Sequence, residues 1–269
     1  MKFKSLMHRR LAICTAIAIP AAMIAAPVLA THSWGGYHWK RTTNAELAIP
    51  VGDNVNATWQ SAFDTAITDW NVSNVIQSPV VAGTLNPKTC KAVAGTIQVC
   101  NASYGRTGWL GIASISLSAG HISQGTTKLN DTYFNTAQYN TPAWRAMVTC
   151  QEIGHDYGLD HQDEVFDNPN LNTCMDYTND PSTNQHPNAH DYSMLTDIYN
   201  HLDAAAAVLS GPGNSAAPAD IGDTPASWGR PVHRDSYGRP DTYERQDGPG
   251  RKTITHVFWA MGEGPGSSQ

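Results

Sequence analysis

The stretch Gln151–His161, "QEIGHDYGLDH", decides how the chain is read. On an α-helix, residues 151 and 155 lie one turn apart on the same face, so two side chains placed there can close on one metal ion. Glu152 sits about 100° further round the axis, able to reach a water on such an ion but aimed away from the ion itself. Gly158 supplies the left-handed residue that ends a helix, and three residues later His161 returns as a further ligand. The helix itself is well specified. Thr141 is a good N-cap and Pro142 suits the first helical position. Trp144, Met147, Val148, Gln151 and His155 then share one face.

This pattern resembles the H-E-x-x-H-x-x-G-x-x-H signature of the metzincin clan of zinc endopeptidases. Glu152, His155, Gly158 and His161 match it in register. Met175, in "NTCMDY", stands fourteen residues after His161, where the clan has its Met-turn beneath the metal. Tyr177 follows two residues on, as in the astacin-like and serralysin-like branches, where such a tyrosine reaches the zinc. The resemblance spans about Thr141 to Tyr177 and does not explain the C-terminal part. It implies an α+β, metzincin-like zincin domain: a twisted mixed sheet, an active-site helix and a C-terminal helix. It also implies one catalytic Zn²⁺ held by His155, His161 and the residue at 151, with Met175 supporting by packing. Such an ion lowers the pKa of water towards ~7 and polarises the scissile carbonyl. Glu152 then serves as general base and acid. Tyr177 is expected to donate to the developing oxyanion, a role worth roughly 3 to 4 kcal/mol.

Gln151 is the departure, because the signature begins with histidine. An amide oxygen is a harder and weaker donor to zinc than imidazole nitrogen. Three outcomes stay open: Gln151 coordinates through its carbonyl oxygen, Tyr177 completes the shell beside His155 and His161, or the metal is lost. The resulting expectation is a secreted zinc endopeptidase acting as a monomer on a protein or peptide substrate. The alternative is a catalytically inactive binding or adhesion protein on the same scaffold, with a hydrolase of non-peptide substrates ranking below both.

The rest of the chain agrees with export. Lys2, Lys4, Arg9 and Arg10 precede the apolar run Leu11 to Ala26, and "VLA" ends at Ala30, the layout of a signal peptide over residues 1–30. The run contains Pro20 and falls short of the ~20 residues a membrane span needs, so no membrane insertion is expected after cleavage. The formal net charge is −6, and loss of the four basic leader residues leaves −10. No Lys or Arg occurs from Gln151 to Gly229. Such a surface repels nucleic acid and anionic membranes. Cys14 leaves with the leader, and the even remainder suggests two disulfides with three possible connectivities. Proximity favours Cys90 with Cys100 and Cys150 with Cys174.

Around the motif, Tyr37–Arg41 reads as a first strand, and Asn56 or Thr58 as the cap of a helix running to Asn71. "SNVIQSPVVAG", "GTIQVC" and "GWLGIASISLS" read as strands, with a further one near "TTKLNDTYF". A final helix is expected over "HDYSMLTDIYNHLDAAAAVL", with Met194, Leu195, Ile198 and Leu202 inward. The domain is set at 31–209, a linker at 210–228 and a small β-meander at 229–269, broken at Gly238 and Gly248–Gly250. His121, His186 and His190 are candidates for a second metal, but each stands alone in a polar loop. Asp160, Asp163, Glu164 and Asp167 with Asn168 and Asn170 could hold calcium through hard oxygens, though not at EF-hand spacing, and a solvated acidic loop accounts for them.

Overall fold

The computed structural model describes Met1 and residues 32–204 and 221–266. The expected leader and most of the expected linker lie outside those residues. In chain order the elements are β1 (Leu47–Ala48), β2 (Val51–Asn54), α1 (Gln60–Trp70), β3 (Ile76–Gln77), β4 (Val80–Ala82), β5 (Ile97–Ala102), β6 (Trp109–Ser118), β7 (His121–Asn130), α2 (Asp131–Phe134), α3 (Pro142–Asp156), α4 (Ala189–Tyr199), α5 (Pro225–Trp228), β8 (Arg230–Arg234), β9 (Pro240–Gly248) and β10 (Arg251–Trp259). The architecture is α+β. Eight strands form one mixed sheet in the order β4-β2-β5-β7-β6-β10-β9-β8, and β1 and β3 pair separately.

The sheet divides by direction. The run β4-β2-β5-β7 is parallel, whereas β7-β6-β10-β9-β8 is antiparallel throughout. β6 and β7 turn at Ala119 and Gly120, both at positive φ. The three strands expected after Gly229 are present, with turns at Gly238 and at Gly248–Gly250, and they join the main sheet. β10 pairs with β6 from Arg251↔Ser118 to Trp259↔Trp109, so the C-terminal strands continue the main sheet. Long backbone pairing satisfies the N–H and C=O groups of β6 that a detached meander would leave at an edge.

Helix α3 crosses the sheet over β6 and β7, and two glycines set how closely. A Cβ on Gly111 would lie 2.7 Å from Glu152 Oε1, and one on Gly125 would lie 2.9 Å from Asp156 Oδ1. The main core fills the space between this face and helices α1, α3 and α4, with Trp59, Phe63, Trp70, Met147, Ile153, Tyr157, Leu195 and Tyr199 buried. A second cluster of Trp109, Ile112, Trp228, Tyr243, Val257 and Trp259 covers the opposite face. Side chains alternate along a strand, so Ile254 and Phe258 join the first core while Val257 and Trp259 join the second. His256, between Ile254 and Phe258, therefore faces α3.

Several local expectations are corrected. Tyr37–Arg41 forms no strand. Trp39 makes one isolated bridge to Ile122, and its indole Nε1 donates to Asp156 O at 2.8 Å, so side chains rather than a ladder hold the segment. Helix α1 begins after Trp59, with no side-chain cap; Asn56 Oδ1 instead accepts from Thr58 N. Helix α4 stops at Tyr199, and Leu202 beyond it is exposed. Met194, Leu195 and Ile198 are buried as the spacing required.

Candidate metal centre

Thr141 caps α3 by accepting from Trp144 N at 3.2 Å, with Pro142 in the first turn. One turn from its C-terminus the helix carries Gln151, Glu152 and His155, all fully buried. The helix ends at Gly158 with φ +94, where a Cβ would lie 2.1 Å from Tyr37 O, so no other residue fits. The turn brings His161 back: the His155 and His161 ring centroids are 4.7 Å apart.

The segment carrying Met175 is tied to the helix twice. Cys150 and Cys174 form a disulfide, as do Cys90 and Cys100, the pairing that proximity favoured. Gln151 Nε2 also donates to Cys174 O at 2.8 Å. Met175 is buried against the helix at Gly154, where a Cβ would approach its sulfur to 2.6 Å. The amide of Gln151 thus fastens this turn, while its Oε1 has no hydrogen-bond partner among the described residues.

Strand β10 supplies a residue that the motif does not contain. The His256 ring centroid lies 4.1 Å from that of His155 and 4.7 Å from that of His161. The three histidines are buried and each offers a ligand nitrogen, all within 4.8 Å of one another. Glu152 Oε2 lies 3.3 Å from His256 Nδ1. Tyr177 Oη donates to Asp241 Oδ2 at 3.1 Å and lies 2.8 Å from His256 Nε2. Because the single hydroxyl proton goes to Asp241, Nε2 of His256 is the donor to Tyr177 and Nδ1 keeps the lone pair. The phenol is buried and bridges Asp241 and His256, so in this arrangement it orients the His256 ring.

The donors fit a metal. His155 Nδ1 is 2.9 Å from Leu159 O, and a carbonyl only accepts, so Nε2 of a neutral His155 carries the lone pair. His161 Nδ1 is held by Glu164 Oε1 at 3.3 Å. Both Nε2 atoms are buried without a hydrogen-bond partner among the described residues, as is Glu152 Oε1. Ring nitrogens fixed on one side and bare on the other are how histidines are presented to metals. Three imidazoles with a nearby carboxylate suit zinc. Burial, then the charges of His256 and His161, holds His155 well below the usual histidine range. Burial and then His161 bring His256 down to about 3. For His161, burial works downward but is outweighed by the hydrogen bond it donates to Glu164 and by the charges of Asp160 and Glu164, which raise it. Burial pushes the Glu152 carboxyl well above the ordinary carboxylate range, against the pull of His161.

The other predicted candidates fall elsewhere. Asp163 Oδ1 accepts from Val165 N and Asn168 Nδ2, and Asp167 accepts from Asn179 and Tyr237, so the acidic loop spends these carboxylates internally. His186 pairs with Asp69, and His190 Nδ1 meets His32 Nε2 at 2.9 Å. His121 does not stand alone; it meets His38 and Asp203. Sequence reasoning missed His256 and Asp241. The available signal for His256 was a lone histidine on the inward face of "ITHVFW", between Ile254 and Phe258.

No family profile and no characterised protein matches this sequence. Among solved structures the chain is similar to high choriolytic enzyme 1, a hatching-enzyme zinc protease from the medaka fish Oryzias latipes, at 12% identity and TM-score 0.33. That alignment covers 61% of this chain and 94% of the other. It is likewise similar to myroilysin, at 12% identity and TM-score 0.33, over 66% of this chain and 97% of the other. Likenesses this distant assign no chemistry, which has to come from the side chains. No helix among the described residues is long and apolar enough to cross a membrane.

Proposed function

We propose that this chain is a secreted zinc endopeptidase of metzincin-like type, its ion held by His155, His161 and His256, with Glu152 as general base. The observation that carries the reading is the convergence of three buried imidazoles within 4.8 Å, beside a carboxylate whose Oε1 is unengaged. Zinc supplies a Lewis acid there and brings the pKa of water towards about 7. The chain's own groups do the rest. Glu152 accepts the proton of the attacking water on its carboxylate and returns it to the leaving amine. Asp241 and Tyr177 fix the His256 ring through Nε2. Gln151, through Cys174 O, and the Cys150–Cys174 bridge hold the Met175 turn under α3. Gln151 is then a fastening residue, and the histidine absent from position 151 is replaced from β10.

A second reading has an observation of its own. Glu152, His155 and His256 have no exposed surface, and the Trp34 ring stacks on His155 at 5.0 Å. A centre closed in this way also fits an inactive scaffold whose zinc only stabilises the fold. Metal analysis with peptide cleavage separates the two. The peptidase reading expects chelator-sensitive cleavage that Glu152→Gln abolishes while zinc is retained. Zinc-loaded wild-type protein that cleaves no peptide, casein or gelatin included, would leave the scaffold reading standing.

A further inference from the structure

A second cluster lies outside the proposed centre, where the N-terminal segment, the start of β7 and the end of α4 meet. Three imidazole nitrogens converge there on one carboxylate oxygen. Asp203 Oδ1 is 3.2 Å from His38 Nε2, 2.9 Å from His121 Nε2 and 3.4 Å from His201 Nε2. His38 Nε2 and His201 Nε2 are themselves 3.1 Å apart. Zinc bonds to nitrogen and oxygen of about 2.0–2.1 Å make a tetrahedron with edges of about 3.3 Å. The three separations from Asp203 Oδ1 and the one between His38 and His201 lie near that value, and His121 offers its nitrogen within 4.8 Å of that of His38.

The proton inventory is satisfied by a bound cation as well as by extra protons on the rings. His38 Nδ1 lies 2.8 Å from Gly36 O, and a carbonyl only accepts, so Nδ1 carries the proton. In the neutral ring Nε2 then presents a lone pair to both Asp203 Oδ1 and His201 Nε2. Two acceptors facing each other at 3.2 Å repel unless the rings take on extra protons or a cation lies among them. The other carboxylate oxygen is spoken for: Asp203 Oδ2 accepts from Arg41 N at 2.7 Å, and Asp203 N donates to Arg41 O at 2.7 Å. Oδ1 is thereby aimed at the three rings, the arrangement of a ligand oriented by its neighbours.

We propose that His38, His121, His201 and Asp203 form a second, structural site for a zinc-class divalent cation. The residues come from three parts of the chain, and the side chains of His121 and His201 are 28% and 48% exposed, so the ion can enter from solvent. An ion there staples residues 38 and 203 and fixes the segment that runs from Trp34, against His155, to Trp39 on Asp156 O. The proposal does not rest on catalysis.

Metal-stripped protein titrated with Zn²⁺ against a chromophoric chelator tests it. Wild type is expected to bind two equivalents, the His121→Ala/His201→Ala protein one, and the His155→Ala/His161→Ala protein one. In the last of these, Zn²⁺ is expected to raise the thermal midpoint, since only the second site remains. Because His155 and His161 are buried, that variant could fail to fold. The exposed single variant His201→Gln then decides, with at least tenfold weaker binding of one equivalent and unchanged circular dichroism. Two equivalents retained at wild-type affinity in both the His121→Ala/His201→Ala and His201→Gln proteins, or a single equivalent in wild type that only loss of His155 and His161 removes, would overturn the proposal.

Discussion

Replacing His256 with alanine tests the centre at the point where sequence and structure diverge. Losing an outer partner of a metal ligand weakens binding about 10–100-fold, so losing a ligand itself should cost about 100-fold or more, roughly 2.8 kcal/mol. With zinc at about 1,000 times its Kd, the ion stabilises the wild-type fold by about 4.1 kcal/mol. For the variant the same concentration is only about ten times its Kd, and the stabilisation falls to about 1.4 kcal/mol. A domain of this size shifts its Tm by about 2–4 °C per kcal/mol. The zinc-dependent rise of about 8–16 °C should therefore shrink to about 3–6 °C in His256→Ala.

The comparison is best made in the His121→Ala/His201→Ala background, where one centre alone is titrated. The quantity read is the rise on adding zinc, which removes the packing loss that His256→Ala brings to the metal-free protein. Gln151→Ala serves as the control. It loses the hydrogen bond to Cys174 O and destabilises the fold with and without metal, but should keep most of the rise. The reverse pattern, with a full rise in His256→Ala and none in Gln151→Ala, would show that the amide oxygen holds the ion and β10 does not.

Glu152→Gln should retain zinc and lose about 10²–10⁴-fold in peptide turnover; wild-type turnover would remove Glu152 from the chemistry. Asp241→Asn withdraws the charge that orients Tyr177 and, through it, His256, so zinc affinity should drop about 10–100-fold, measured by chelator competition. The Cys150–Cys174 bridge spans 24 residues and Cys90–Cys100 spans 10. Chain entropy assigns them about 3.5 and 2.7 kcal/mol respectively, so denaturant unfolding of the paired alanine variants should show the larger loss for the first. At the C-terminal edge of the sheet, hydrogen bonds from Arg230 and then Lys252 hold the Glu244 carboxyl at about 2, below its ordinary 4.5. A depressed carboxylate stabilises above its ordinary value and loses that contribution as pH falls through the depressed one. Wild type should therefore exceed Glu244→Gln in stability at pH 7, by about 1 kcal/mol or less since Arg230 is exposed. The gap should close as the pH approaches 2; a gap unchanged at that pH would count against the pairing.

How much of this was legible in the sequence depends on the distance over which each feature is encoded. Helix α3, its Thr141 cap, its end at Gly158 and the return of His161 are written within about one segment, where helical period and glycine stereochemistry suffice. Both disulfides followed from proximity. The strand expected at Tyr37–Arg41 failed because alternation there serves side-chain anchoring through Trp39. The inward place given to Leu202 failed because helical period continued past the point where α4 stops. Neither contact is visible without the fold.

His256 was out of reach for a different reason. Its partners His155 and His161 precede it by about a hundred residues, and only the pairing of β10 along β6 brings it to their side. The pairing fixes its face as well as its place, because slipping the register by one residue would turn His256 to the opposite face and Thr255 inward. A ligand set drawn from one helix and its turn can form as soon as that helix does. One that borrows from β10 is complete only when the C-terminal strand has paired. Metal affinity in this chain should therefore report on docking of the sheet's last strands: a substitution that loosens β10 without touching any ligand, such as Ile254→Ala, should weaken zinc binding as well as the fold. Undiminished affinity in a folded Ile254→Ala protein would mean that His256 is positioned independently of its strand.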